Sequence, residues 1–280
     1  MEKFLFFDVD GTLVDSRYTQ VISESTLNAV ISARRNGYGC FIASGRNYKG
    51  IEMYMDEFDG AVCSDGASVV IKGREPVFYP LDTEKVKELR DLVLNEYKGN
   101  IAVWTDMTGY ACDTLYENFR RWGSSQGRSD EEMKAFGLTH LEEWDEKEEI
   151  LTCDLEFLCA EDEERFMKNL DPHFEYISTS ASYGRGGICT GEITAKGITK
   201  ASGAVCLVEM LKGDMKNTYA FGDSMNDASL LKAVQHSICM GNGADELKAI
   251  SEYVTDDIDK DGLAKAMEYY KLVDKKVSLD

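Results

Sequence analysis

Residues 4–12 read Phe4-Leu5-Phe6-Phe7-Asp8-Val9-Asp10-Gly11-Thr12, four apolar residues running straight into two aspartates one residue apart and then a glycine. A strand covered on both faces does not alternate apolar with polar, so the Phe-rich run reads as a buried strand. Asp8 and Asp10 fall where that strand emerges. The β period of two points them the same way, unless the turn that Gly11 permits rotates the second. Two carboxylates held ~4 Å apart at an effective dielectric of about 20 repel by about 4 kcal/mol. A cation or a shared proton has to offset that cost.

The pattern repeats outward from this stretch. Leu27, Val30 and Ile31 lie on one face of a predicted helix over 23–35, with Gly37 as its stop. A second buried strand covers 38–43 and ends in Ser44-Gly45-Arg46; a helix up to Phe58 and a short strand over 61–64 follow. Strand–helix–strand alternation implies a parallel sheet with right-handed crossovers. From about residue 82 the texture changes. Helical segments over 83–97, 113–121 and 162–170 mix with strand-like ones over 101–105, 153–159 and 174–180, and the Gly-rich Tyr183-Gly-Arg-Gly-Gly187 marks the exit. Alternation then resumes with a helix after Lys200, a strand over 218–221, a helix from Asp227 and a strand over 237–240. The expected fold is α/β: a doubly wound parallel-sheet core, 1–81 and 187–280, with an inserted α+β domain over 82–186.

Composition limits the partners. The 280 residues carry a net charge of −20, which argues against a nucleic-acid-binding surface and against attraction to an anionic membrane. Residues 130–171 hold 16 acidic and 4 basic side chains, a solvated face or a filter on charged substrates. The eight cysteines contain no Cys-x-x-Cys pair, and several sit inside apolar runs; they read as small buried hydrophobes in a reducing compartment. With three histidines and none beside another metal-type ligand, zinc is disfavoured. Asp8 interrupts the N-terminal apolar run too early for a signal peptide, and no apolar stretch approaches the ~18 residues of a membrane span. The expectation is a soluble, cytoplasmic protein of open oligomeric state.

In doubly wound sheets ligands sit beyond the carboxyl ends of the strands. Three polar clusters fall there: Asp8 with Asp10, Ser44-Gly45-Arg46, and Gly222-Asp223-Ser224-Met225-Asn226-Asp227. Any one could be a turn or helix cap. Together they suit phosphoryl transfer with a hard divalent cation, since magnesium takes oxygen ligands from one or two carboxylates plus a substrate phosphate. One carboxylate can act as nucleophile, a second can move the proton, and a hydroxyl with backbone N–H groups can hold phosphate oxygens. A lysine supplies a point charge; Lys200 is the candidate and Lys196 its competitor.

These residues resemble the haloacid dehalogenase-like (HAD) phosphatase superfamily, specifically its Cof-type subgroup with a large inserted (C2-type) cap on a Rossmann-like core. The likeness is carried by Asp8-Val-Asp-Gly-Thr-Leu13, Ser44-Gly-Arg46, Glu192-Ile-Thr-Ala-Lys-Gly-Ile-Thr-Lys200 and Gly222-Asp-Ser-Met-Asn-Asp227, with Met240-Gly-Asn-Gly-Ala244 and Asp261-Gly-Leu-Ala264 beyond them. The resemblance implies Asp8 as nucleophile and magnesium ligand, and Asp10 as general acid/base that ligates the metal through its backbone carbonyl. Ser44 and Lys200 would bind the phosphoryl group, with Gly11, Thr12, Gly45, Arg46 and Asn226 also lining the substrate site. Asp223 would ligate Mg2+ directly; Asn226 and Asp227 would orient the ligands or Lys200, Asp227 completing the metal set. The implied reaction is hydrolysis of a small phosphate monoester (a sugar phosphate, nucleotide or phosphorylated cofactor) through an aspartyl-phosphate. A sugar phosphomutase or a non-catalytic phosphate-binding protein are the alternatives. Two features stand apart. Asp65 occupies a position where the subgroup usually has Asn, either repelling strongly anionic substrates or serving as turn chemistry. Arg185 at the cap exit is a substrate contact or an exposed hinge residue.

Overall fold

The computed structural model describes residues 1–125, 127, 129, 133, 136–179 and 186–274; Arg185 and the segment around it lie outside the described residues. The chain divides into two compact units, one comprising Met1–Ser44, Met53–Pro76 and Thr199–Asp280, the other Gly45–Glu52 and Val77–Ile198. No described helix is long and apolar enough to cross a membrane.

The first unit contains β1 (Phe4–Phe7), β2 (Gly39–Ala43), β3 (Gly60–Cys63), β4 (Ser68–Ile71) and, later in the chain, β12 (Thr218–Gly222), β13 (His236–Cys239) and β14 (Tyr253–Val254). They run in the order β14-β13-β12-β1-β2-β3-β4. All neighbours are parallel except β3 and β4, so the expected α/β core is present with one antiparallel addition. Every residue of β1 is buried, as its unbroken apolar run requires. Phe7 stacks on Phe221 of β12 with ring centroids 4.9 Å apart, and Phe6 packs against Phe41 of β2. Each such buried side chain contributes about 1.5–3 kcal/mol. Strand β1 lies between β2 and β12, where the chain's winding reverses direction, the place where such sheets open a crevice for ligands. Ser23 caps the helix Glu24–Arg35 by accepting a hydrogen bond from the Thr26 N–H.

The second unit holds β5 (Val77–Phe78), β6 (Asn100–Trp104), β7 (Gly109–Ala111), β8 (Leu138–His140), β9 (Thr152–Phe157), β10 (Phe174–Ser178) and β11 (Cys189–Ala195). Six of these form a sheet in the order β10-β11-β9-β6-β7-β8, antiparallel but for β7 and β8. Its two faces show in β6: Ile101 and Val103 join one core with Val86, Leu89 and Val93 of the helix Thr83–Asn95, whereas Ala102 and Trp104 face Leu115, Tyr116 and Phe119 of the helix Asp113–Ser125.

The units divide at places the sequence pattern did not suggest. Residues 187–198, read as core, carry β11, which pairs with β10 and β9 in the middle of the second sheet. Residues 45–52 also belong to the second unit: Asn47 Nδ2 donates to Thr105 O (3.1 Å) and the Lys49 N–H donates to Asp106 O (3.1 Å). The helix expected up to Phe58 is a single turn, Tyr48–Ile51, followed by a tighter helical stretch over Glu52–Glu57. Cys40, Cys63, Cys153 and Cys239 are buried and the other four cysteines half-buried.

Candidate active site

The chain leaves β1 through a turn closed on itself. The N–H groups of Leu13 and Val14 both donate to Val9 O, and Gly11 N–H donates to Val14 O. Asp8 is anchored at the sheet edge by its own N–H, which donates to Phe221 O (3.0 Å). Gly11 has φ +86°, and a Cβ there would stand 2.3 Å from Asp223 Oδ2, so both the turn and the close approach require glycine. Thr12 is buried and its hydroxyl donates to Asp223 Oδ1 (3.3 Å). Asp10 lies half-buried in the same turn.

From β12 the chain enters Asp223–Asp227. Asp227 Oδ2 accepts hydrogen bonds from the N–H groups of Asp223 (3.0 Å) and Ser224 (3.2 Å), which fixes the segment as a tight turn. Gly222 is needed beneath it, because a Cβ there would meet Asp227 Oδ2 at 2.5 Å. The other Asp227 oxygen, Oδ1, accepts from Lys200 Nζ at 2.7 Å, and Lys200 Nζ also donates to Asp8 Oδ1 at 2.8 Å. Lys200 opens the helix Lys200–Met210, whose start is set by a reciprocal cap: Thr199 Oγ1 accepts from Ser202 N–H, and Ser202 Oγ accepts from Thr199 N–H. Lys196, the competitor, sits in the second unit, paired on its surface with Glu175.

Burial dominates the electrostatics. It pushes the Asp8 carboxyl up to about 8, reinforced by the nearby Asp227 charge and only partly opposed by Lys200. Asp223 is raised well above the usual carboxylate range, first by burial and then by Asp8 and Asp227. Burial works against the Lys200 ammonium too, but Asp227, Asp8 and Asp65 outweigh it and hold the charged form. Lys200 and Asp227 therefore form the ion pair, and Asp8 and Asp223 are the carboxylates that gain most from added positive charge.

Ligand atoms of Asp8, Asp223 and Asp227 lie within 4.8 Å of one another. All are hard carboxylate oxygens, the donor type that Mg2+ takes, so the residues fit a divalent cation. Asp227 fits least as a direct ligand, because its two oxygens already accept three hydrogen bonds. The Asp10 side chain is not in the cluster.

Of the residues singled out from sequence, Asp8, Asp10, Gly11, Thr12, Ser44, Lys200, Asp223, Asn226 and Asp227 all belong to the first unit, and Gly45 and Arg46 to the second. Ser44 is buried at the end of β2, its N–H donating to Val62 O (2.8 Å). Asn226 accepts from Ser224 Oγ (2.6 Å). One contributor was not singled out. Asn242 donates to Gly11 O (2.9 Å) and accepts from Ile258 N–H (2.8 Å), bracing the aspartate turn from the loop after β13. Its signal was the Met240-Gly-Asn-Gly-Ala244 run itself.

Carboxylates gathered around a buried ammonium, at the carboxyl edge of a parallel sheet, mark the candidate site of an α/β enzyme core. Residues 5–267 match the haloacid dehalogenase-like hydrolase family, and the chain belongs to it. It is 28% identical over 269 residues to YkrA of Bacillus subtilis (strain 168), covering 95% of this chain and 96% of that one. It is 25% identical over 274 residues to the 5-amino-6-(5-phospho-D-ribitylamino)uracil phosphatase YcsE of the same organism, covering 96% of each. Among solved structures it is similar to the HAD subclass IIB sugar phosphatase BT4131, with a TM-score of 0.79, 26% identity, and 97% and 100% of the two chains covered.

Proposed function

We propose that this protein is a magnesium-dependent phosphatase that hydrolyses a small phosphorylated metabolite through a phosphoryl group carried on Asp8. The observation behind the proposal is the buried Asp8–Lys200–Asp227 chain beside Asp223, which presents one carboxylate with a raised pKa among fixed charges. The small phosphorylated compound in YcsE's name and the sugar substrate class of BT4131 support the substrate class.

In the first half-reaction Asp8 attacks phosphorus; an Oδ–P bond forms as the P–O bond to the alcohol breaks. Asp10 gives its proton to the departing oxygen. In the second half-reaction Asp10 takes a proton from water, which attacks the same phosphorus and releases inorganic phosphate, restoring Asp8. Ser44 and Lys200 hold the phosphoryl oxygens, and Asp227 keeps Lys200 charged and in place. Bound Mg2+, held by Asp8, Asp223 and the Asp10 carbonyl, would supply charge that lets anionic phosphate approach an anionic carboxylate. Gly11, Thr12 and Asn226 would line the substrate site beside them.

Asp8→Asn tests this directly. Release of p-nitrophenol from p-nitrophenyl phosphate should fall by more than about a thousandfold, as loss of a covalent nucleophile requires, with unchanged far-UV ellipticity. Activity retained in that variant, or wild-type activity indifferent to EDTA, would refute the proposal.

A further inference from the structure

The turn after β3 is the most strained stretch of the described backbone. Ser64, Asp65 and Gly66 follow one another with φ of +50°, +50° and +103°, a run of left-handed conformations that side chains other than glycine rarely adopt. The residues are also buried, Asp65 to 1% exposure. Both Asp65 carboxylate oxygens and the Ser64 and Ser68 hydroxyls lack a hydrogen-bond partner among the described residues. Burying polar oxygens without hydrogen bonds is unfavourable, and strain of this kind persists where surrounding structure enforces it.

Two neighbours hold it: Ser44 of the proposed site, and Thr199, the residue that precedes Lys200. The Asp65 N–H donates to Ser44 O at 3.2 Å. Gly66 packs against the start of the Lys200 helix so closely that a Cβ on it would stand 2.1 Å from Thr199 O, and a Cβ on Gly203 would meet Gly66 Cα at 2.9 Å. The turn is thus wedged between Ser44 and Lys200, and Asp65 acts on the Lys200 ammonium as its third carboxylate, after Asp227 and Asp8.

We infer that Asp65 is a positioning residue whose buried charge weakens the grip of Ser44 and Lys200 on a phosphoryl group, so that product phosphate is let go. This rests on the phosphatase reading above. The lysine must bind a dianionic phosphate tightly enough to transfer it and loosely enough to release it. A further fixed negative charge beside the lysine lowers affinity for substrate and product alike, and no catalytic step passes through it.

The test uses Asp65→Asn and Asp65→Gly, since Asn and Gly best tolerate a left-handed backbone. Inorganic phosphate is titrated calorimetrically into each protein with Mg2+ present, and KM and kcat for p-nitrophenyl phosphate are measured alongside. Removing one charge from this buried setting should tighten phosphate binding about tenfold or more in both variants. KM should fall, and kcat should stay level or drop as release slows. Unchanged or weaker phosphate binding in both variants overturns the proposal, as does a change confined to Asp65→Gly, which would assign the side chain a space-filling role. Absence of wild-type turnover with any monoester would refute the phosphatase reading alone, because the phosphate titration still decides the role of Asp65.

Discussion

Replacing Lys200 by methionine removes the ammonium held between Asp8 and Asp227 and keeps most of its aliphatic volume. At 2.8 Å and an effective dielectric of about 20, each contact is worth about 6 kcal/mol. Burying charged groups here costs several kcal/mol apiece, so the net gain from the assembled trio is far smaller. Breaking it is different, because an uncompensated buried charge typically costs about 3–5 kcal/mol. That cost has a ceiling. A stranded carboxylate can always take up a proton, at about 1.4 kcal/mol for each pH unit above an ordinary aspartate's ~3.9. The ceiling is therefore about 1.5 kcal/mol at pH 5 and above about 5 kcal/mol at pH 8. The sign follows: an upward shift in the folded state leaves stability intact in acid and withdraws it as pH rises. Lys200→Met should be at most slightly less stable than wild type at pH 5 and about 3–5 kcal/mol less stable at pH 8. In urea, the pH 8 midpoint should fall by about 1–3 M. Far-UV ellipticity is the suitable probe, because Trp104, Trp122 and Trp144 all lie in the second unit and report on it instead. A deficit equal at the two pH values would mean lost packing rather than a stranded charge and would refute the reasoning.

Two further outcomes follow from the same geometry. With its pKa pushed up to about 8, Asp8 is roughly nine-tenths protonated at pH 7 before a cation binds; Mg2+ binding should expel that proton at pH 7 and almost none from Asp8 at pH 9, so total release should fall by about one proton between the two pH values. Calorimetry in two buffers of different ionisation enthalpy reads this, and equal release at both pH values would exclude it. Gly11→Ala places a Cβ 2.3 Å from Asp223 Oδ2 on a backbone at φ +86°. The conformation alone costs about 1–2 kcal/mol, and the displaced Asp223 should weaken Mg2+ binding by about tenfold or more; an unchanged Mg2+ affinity would show that Asp223 is not a ligand.

Features fixed by local physics could be read from the chain. The Phe4–Phe7 run announced a strand buried on both faces because nothing in it offers a wet side. The helix Glu24–Arg35 was announced by Leu27, Val30 and Ile31 on one face and by Gly37 as its stop. The three carboxylates of the cation cluster stood out because they follow strands. What escaped depends on pairing across long sequence separations. Cys189–Ala195 looks like the return to the core, but its place between β10 and β9 is a matter of register no periodicity records. Asn47 and Lys49 follow β2 closely, yet their hydrogen bonds run to Thr105 and Asp106, which assigns them to the other unit. The left-handed run at Ser64–Gly66 was equally hidden, since only its glycine advertises such a conformation.

Asp8, Asp223 and Asp227 are chemically the same residue, and what separates them is the partners each has already taken. Asp227 gives one oxygen to Lys200 and the other to two backbone N–H groups, so it is held rigid, with little left for a cation or a substrate. Asp223 accepts from the Thr12 hydroxyl and presses on Gly11, which commits it to the wall of the aspartate turn while leaving it short of positive charge. Asp8 shares Lys200 with Asp227 and is the less well compensated of the two, as its raised pKa records. The nucleophilic role proposed for that carboxylate has a physical basis. Its negative charge is poorly compensated by the protein and therefore responsive to a cation or to an electrophilic phosphorus placed beside it.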